Sequence, residues 1–143
     1  MKNFFDAFRP QSERERFEAD LETFDPIARD RAKTIANLVV KLHLSQRPKA
    51  KNPADEAIQA ALEGKEWERA ANLLETKSNR TAGDENDLGV ALAHTANEDE
   101  DIWKEATTAF AQCEAHRDVD ATTKALAVRN SAVARRATEI LRA

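Results

Sequence analysis

Three histidines and one cysteine are the side chains here best able to ligate a metal or attack a substrate, and the chain keeps them apart. His43, His94 and His116 are isolated; the nearest helical-offset partner of His94 is an acid, Glu98. A metal needs three or four convergent N, S or O groups, so no metal site is expected. Cys113 follows Phe110 by three residues, on the same helical face, which predicts a packed, inert thiol rather than a nucleophile. Three scattered glycines cannot build a phosphate-cradling loop. The acidic run from Asn97 to Asp101 lacks the alternating oxygens and central glycine of a calcium loop. It precedes an apolar helical pattern, where acids favour the helix N-terminus. Asn79-Arg80-Thr81 has the form of a glycosylation acceptor but lacks an accompanying secretion signal. With no catalytic constellation in view, neither enzymatic activity nor a cofactor is expected.

The elements that carry these residues recur. Ala57-Ile58, Ala91-Leu92 and Ala125-Leu126 stand 34 residues apart. A fixed period of that size signals stacked helix–turn–helix units, each leaving one face for its neighbour to cover. Trp67, Ala70 and Leu74 are matched 36 residues later by Trp103, Ala106 and Phe110. Side chains three, four and seven apart share a helical face. Small alanines there let a second helix approach closely. The two extra residues fit in the polar turn from Asn97 to Asp101, where an insertion costs little.

This pattern resembles the tetratricopeptide repeat family, whose unit is helix A, a turn and helix B. Leu92-Ala93 and Leu126-Ala127 resemble its aliphatic–small pair, Trp67 and Trp103 its turn aromatic, and Ala70/Leu74 and Ala106/Phe110 its helix B pair. Gln59 departs from the small residue, Gly64 stands one place early, and no Pro closes either unit. The resemblance covers roughly residues 53 to 130. It implies an all-α, right-handed helical-hairpin solenoid, a superhelix of about seven helices, and carries over no activity. Some members of the family grip a terminal carboxylate with an Asn just before the aliphatic–small pair. Ala57, Ala91 and Ala125 stand there, which argues against such a clamp.

Composition agrees with helix. Gly 3 and Pro 4 in 143 residues leave little material for tight turns, and Ala, Glu, Arg, Leu and Lys are frequent. The 34% charged residues are mixed in sign and sum to only −4, so no nucleic-acid partner is expected. No apolar run approaches the roughly 20 residues of a membrane span. Asp6 interrupts the apolar start Phe4-Phe5, unlike a secretory leader, and a single cysteine excludes an internal disulfide. Together these predict a cytoplasmic protein.

Along the chain, residues 1–44 read as N-terminal helices: a short turn at 4–8, a helix from a Ser12/Glu15 capping box to about 24, and another from Asp25-Pro26 to about 44. That last helix is expected to bury Ile27, Ile35, Leu38, Val39 and Leu42. Ala36, Val39 and Val40 precede Ala70, Leu73 and Leu74 by 34 residues, leaving open a degenerate first repeat over 12–44. Residues 45–52, polar, basic and broken by Pro48, read as a linker. Residues 53–143 then carry the repeats, with helices near 53–64, 67–77, 85–96, 102–116 and a terminal capping helix at 119–142.

Stacked A helices line one concave side, and its expected partner-binding residues are Glu56, Glu63, Val90, His94, Lys124 and Val128. The function so implied is a non-catalytic adaptor binding a protein or peptide. The alternative is a module that self-associates, as a homodimer, through Phe4, Phe5 and Phe8.

Overall fold

The computed structural model describes residues 26–42 and 49–142. Among them are six helices and no strand: α1 Pro26–Ala36, α2 Pro53–Glu63, α3 Trp67–Thr76, α4 Ala82–Ala96, α5 Glu100–Ala115 and α6 Ala121–Arg142. The chain divides into two compact units, Met1–Thr34 and Ile35–Ala143. In the first, Thr34 Oγ1 donates back to the Asp30 carbonyl within α1 (2.8 Å). Phe4, Phe5, Phe8, the Ser12/Glu15 box, the 12–24 stripe, the Ile27 side chain, His43 and Pro48 lie outside the described residues.

Local chemistry sets the helix starts in the second unit. Asn52 caps α2, its Oδ1 accepting from Asp55 N (2.9 Å), and Pro53 follows where no N–H is needed. Thr81 and Asp84 form a reciprocal capping box, so α4 begins at Ala82, ahead of the position expected from its apolar residues. Asp99 caps α5 by accepting from Asp101 N (3.0 Å) and Ile102 N (3.4 Å), the work expected of the acidic run. Asp120 Oδ1 accepts from Thr123 N (2.7 Å) at the head of α6. Only α3 starts without a side-chain cap.

From α2 onward each helix packs on the next, and α4 also packs on α6. The core joins Ile58 and Leu62 of α2, Ala70 and Leu74 of α3, Leu88 and Val90 of α4, and Trp103, Ala106 and Phe110 of α5. Ala134 and Ala137 of α6 close it, while Arg129, Arg135 and Arg136 on that helix face outward. The helix is thus apolar on its docked side and charged on the other. In the middle lies α4, buried at every residue from Ala82 to Ala93, including Asp84, Glu85, Asn86 and Asp87. Gly89 permits this: a Cβ there would stand 2.5 Å from the Phe110 ring.

Two polar links brace this central helix. Lys77 Nζ reaches Asp84 (2.7 Å) and Asp55 (3.1 Å), tying the first turns of α4 and α2. Burial works to lower the Lys77 pKa, but the hydrogen bonds to Asp84 and Asp55 outweigh it and the net shift is upward. Arg80 Nε donates to Glu85 (2.9 Å), while its Nη1 donates to the Leu74 and Glu75 carbonyls at the end of α3.

The chain departs from the expected helix beyond Ala36. Leu38 N donates to the Ile35 carbonyl (3.1 Å), and residues 38–42 then run without regular secondary structure. Val39, expected to be buried, is 62% exposed. Asn37 precedes two adjacent β-branched residues, a combination that suits a helix end and an extended continuation. Val39 and Val40 therefore do not reproduce Leu73 and Leu74, which are helical.

Candidate binding site

Residues 38–42 cross the seam between α4 and α6. Leu38, Val40 and Leu42 pack against the core, whereas Val39 and Lys41 are exposed. That in–out alternation is the period of an extended strand rather than of a helix.

Two asparagines hold its main chain. Asn130 Oδ1 accepts from Lys41 N (2.9 Å), and Asn130 Nδ2 donates to the Lys41 carbonyl (2.8 Å). A single side-chain amide thus takes both main-chain groups of one residue, as a neighbouring strand would. Asn86 Nδ2 donates to the same carbonyl (3.2 Å) and to Asp87 Oδ1 (3.3 Å). Asn130 Nδ2 also donates to Asn86 Oδ1 (2.9 Å), joining α6 to α4. All four amide hydrogens are engaged, and the Lys41 N–H and C=O fix which way the Asn130 amide must point. Asn86, Asp87 and Asn130 are wholly enclosed, so the bonds among them form away from competing water, while those to Lys41 are part-buried.

Cys113 belongs to the same interior. Burial raises its pKa, a hydrogen bond with the Asn86 main chain opposes this, and the charges of Asp87, Glu114 and Glu85 add to the rise, to about 11. The thiol is protonated at neutral pH and packs with Ala82 and Ala127.

The expected groove residues are dispersed. Glu56, Glu63 and Lys124 are exposed, and Val128 is 48% exposed. Glu63 accepts from Gln59 (3.1 Å). Val90 is wholly buried, so it packs the core and lines no open face. It lies on a helix enclosed all round, where a one-sided pattern does not apply. His94 stacks flat on Trp67, ring centroids 4.0 Å apart and 5° from parallel. Burial first, then the charge of Lys65, lowers its pKa. His116 is structural in its contacts: Nδ1 accepts from Asp118 N (3.2 Å), which leaves Nε2–H to donate to the Arg80 carbonyl (3.0 Å).

Two other concavities are present. One of about 550 Å³ lies beside the Lys77 bridge, between Asn52, Asp55, Thr81 and Asp120. The other, about 660 Å³, is a shallow hollow on α3 around Trp67 and Leu73. Among the described residues no three His, Cys, Asp or Glu side chains converge as metal ligands, and no helix is long and apolar enough to cross a membrane.

Sequence spacing did not single out Asn86 or Asn130. A signal was nonetheless present: Asn130 falls on the otherwise small apolar stripe Ala127, Ala134, Ala137. A polar residue on a buried stripe must find partners inside. No family model matches the chain, and no curated protein or solved structure matches it either.

Proposed function

We propose that this protein is a non-catalytic adaptor of the helical-repeat type, whose α4–α6 seam receives an extended segment of another protein. One observation carries the reading: the buried Asn86–Asn130 pair already grips a main chain through its N–H and C=O, a recognition that does not depend on side-chain identity. Main-chain hydrogen bonds supply the hold and pockets for alternate side chains supply selectivity, as in other modes of extended-peptide capture. The exposed Lys124 and Val128, on the same helix as Asn130, would tune the preference for charge. The tetratricopeptide-like arrangement of hairpins is part of the same proposal, supported by the sequential packing of α2 to α6 and the added α4–α6 contact.

Selection from a random peptide library tests it. Peptides able to run extended should be enriched, both on the native chain and on Val40→Asp, which weakens the resident segment. Reversing charge at Lys124 should alter affinity for those peptides without moving the melting temperature, because the side chain is exposed. No enrichment on either protein would overturn the reading.

A further inference from the structure

We propose that Leu38–Leu42 is a displaceable built-in occupant of the seam, so that the partner is an extended peptide with large apolar residues at positions i, i+2 and i+4 that replaces it. The inference rests on the binding reading above and adds both the partner's pattern and a control on access.

Three features support exchange. First, the hydrogen bonds that Asn86 and Asn130 make to Lys41 go to its main-chain atoms, and Lys41 is exposed. Any extended peptide offers the same N–H and C=O. Second, among the described residues the segment has one main-chain hydrogen bond to the rest of the backbone, at Leu38. Beyond it, the hold is the asparagine pair and three partly buried apolar side chains, Leu38, Val40 and Leu42. Third, the seam cannot simply stand empty. Without an occupant, the core side chains behind Leu38, Val40 and Leu42 would meet water, an apolar exposure that a second apolar segment removes. Opening is therefore coupled to replacement, and the resident segment competes with every incoming peptide by mass action at a high effective concentration.

The same argument gives the partner's chemistry. The outward positions, held here by Val39 and Lys41, face solvent and set no requirement. The inward positions, Leu38, Val40 and Leu42, pack against the buried hydrophobic core, so charge there is disfavoured.

The test uses a fluorescent peptide of residues 37–43, Asn-Leu-Val-Val-Lys-Leu-His, titrated by anisotropy against full-length protein. Val40→Asp places a carboxylate on the core-facing side of the resident segment and should bind the peptide about tenfold tighter than the native chain does. Adding Asn130→Ala should remove about tenfold of that affinity, the worth of a buried hydrogen bond left unmade. A peptide carrying Asp at its Val40 position should not bind.

Should Val40→Asp fail to fold by circular dichroism, Lys41→Pro replaces it, deleting the N–H that Asn130 accepts while keeping all three apolar side chains. A folded variant with no gain in peptide affinity overturns the proposal. So does failure of both variants to fold, which would make the segment an integral part of the core. Concentration-dependent dimers of the native chain that bind no added peptide would overturn it too, by making a second copy the occupant. If library peptides of another pattern bind Val40→Asp while the 37–43 peptide does not, this inference alone falls. If no peptide binds, the adaptor reading falls with it.

Discussion

Helices α3 and α5 carry the same landmarks at the same spacing, yet the α2–α3 and α4–α5 pairs use their tryptophans differently. Ala70 and Leu74 in one, and Ala106 and Phe110 in the other, are wholly buried. Trp103 is 4% exposed, with its indole N–H donating to the Asn97 carbonyl (2.8 Å). Trp67 is only partly covered and meets His94 face to face. The caps explain the contrast. Asp99 accepts two backbone N–H groups and starts α5 at Glu100, so Trp103 stands inside a formed first turn. Glu66 supplies no side-chain cap, and Trp67 is itself the first residue of α3. The comparison separates two kinds of position. Helix-to-helix packing fixes the alanine and the large apolar residue, while the connecting turn decides what the aromatic does.

The largest expected effect breaks the pair apart. Trp103→Ala should cost about 3–5 kcal/mol, through lost apolar burial and a residual cavity. Trp67→Ala should cost less, roughly 1–2 kcal/mol, since its ring is less completely buried than that of Trp103. Urea unfolding of each variant measures this, and iodide quenching of single-tryptophan proteins gives an independent reading. Trp67 should be quenched readily and Trp103 weakly; equal costs or equal quenching would restore the equivalence that the spacing implies.

A smaller effect tests the fit of α4 against α5. Alanine favours a helix over glycine by about 1 kcal/mol. At Gly89, however, the added methyl would meet three atoms of the Phe110 ring at 2.5 to 2.8 Å. Gly89→Ala should therefore destabilise by up to about 2 kcal/mol net, the usual overpacking cost of about 1–3 kcal/mol less the helix gain. Phe110→Leu in the same chain should recover part of that loss, because the two changes share one space. Gly89→Ala at native stability or above would show that the ring yields freely.

These contacts show what the residues could announce and what they could not. Periodicity placed α2, α3, α5 and α6 well, because their apolar stripes and their Asn52-Pro53 and Asp99 starts are local signals. It failed for α4. Asp84-Glu85-Asn86-Asp87 reads as a solvated start, yet Lys77 and Arg80 pair with two of these acids and Asn130 with the asparagine, so the run is buried. It failed again at Leu38–Leu42, whose apolar residues fit a helix as well as a strand. Only a distant pair, Asn86 and Asn130, decides between the two by taking the Lys41 main chain. The proposed site was hidden for that reason: its two amides come from different helices, each rising from an otherwise apolar or acidic stretch.

The smallest effect is a pH dependence at the joint between the two helix pairs. His94 of α4 lies over Trp67 of α3, and burial, followed by the positive charge of Lys65, lowers its pKa below 6.5. In the unfolded chain the imidazole takes up a proton near its ordinary value, whereas in the folded chain it does so only at lower pH. Between those two values the unfolded state binds more protons, so acid favours unfolding. The contribution is fully present above pH 6.5, declines as pH falls through that point, and levels off once the folded imidazole is also protonated. Thermal melts from pH 8 to pH 5 should show the decline in the native protein. His94→Phe keeps a flat ring over Trp67 without the proton site and should lose this component; Lys65→Ala should shrink it. Acid unfolding also draws on the ion pairs of Lys77 and Arg80, but those are common to all three proteins. The difference between native protein and His94→Phe is therefore the quantity to read. A difference of zero across this range, or an NMR titration of His94 at or above its ordinary midpoint, would show that the stack leaves the histidine as free as it is in the unfolded chain.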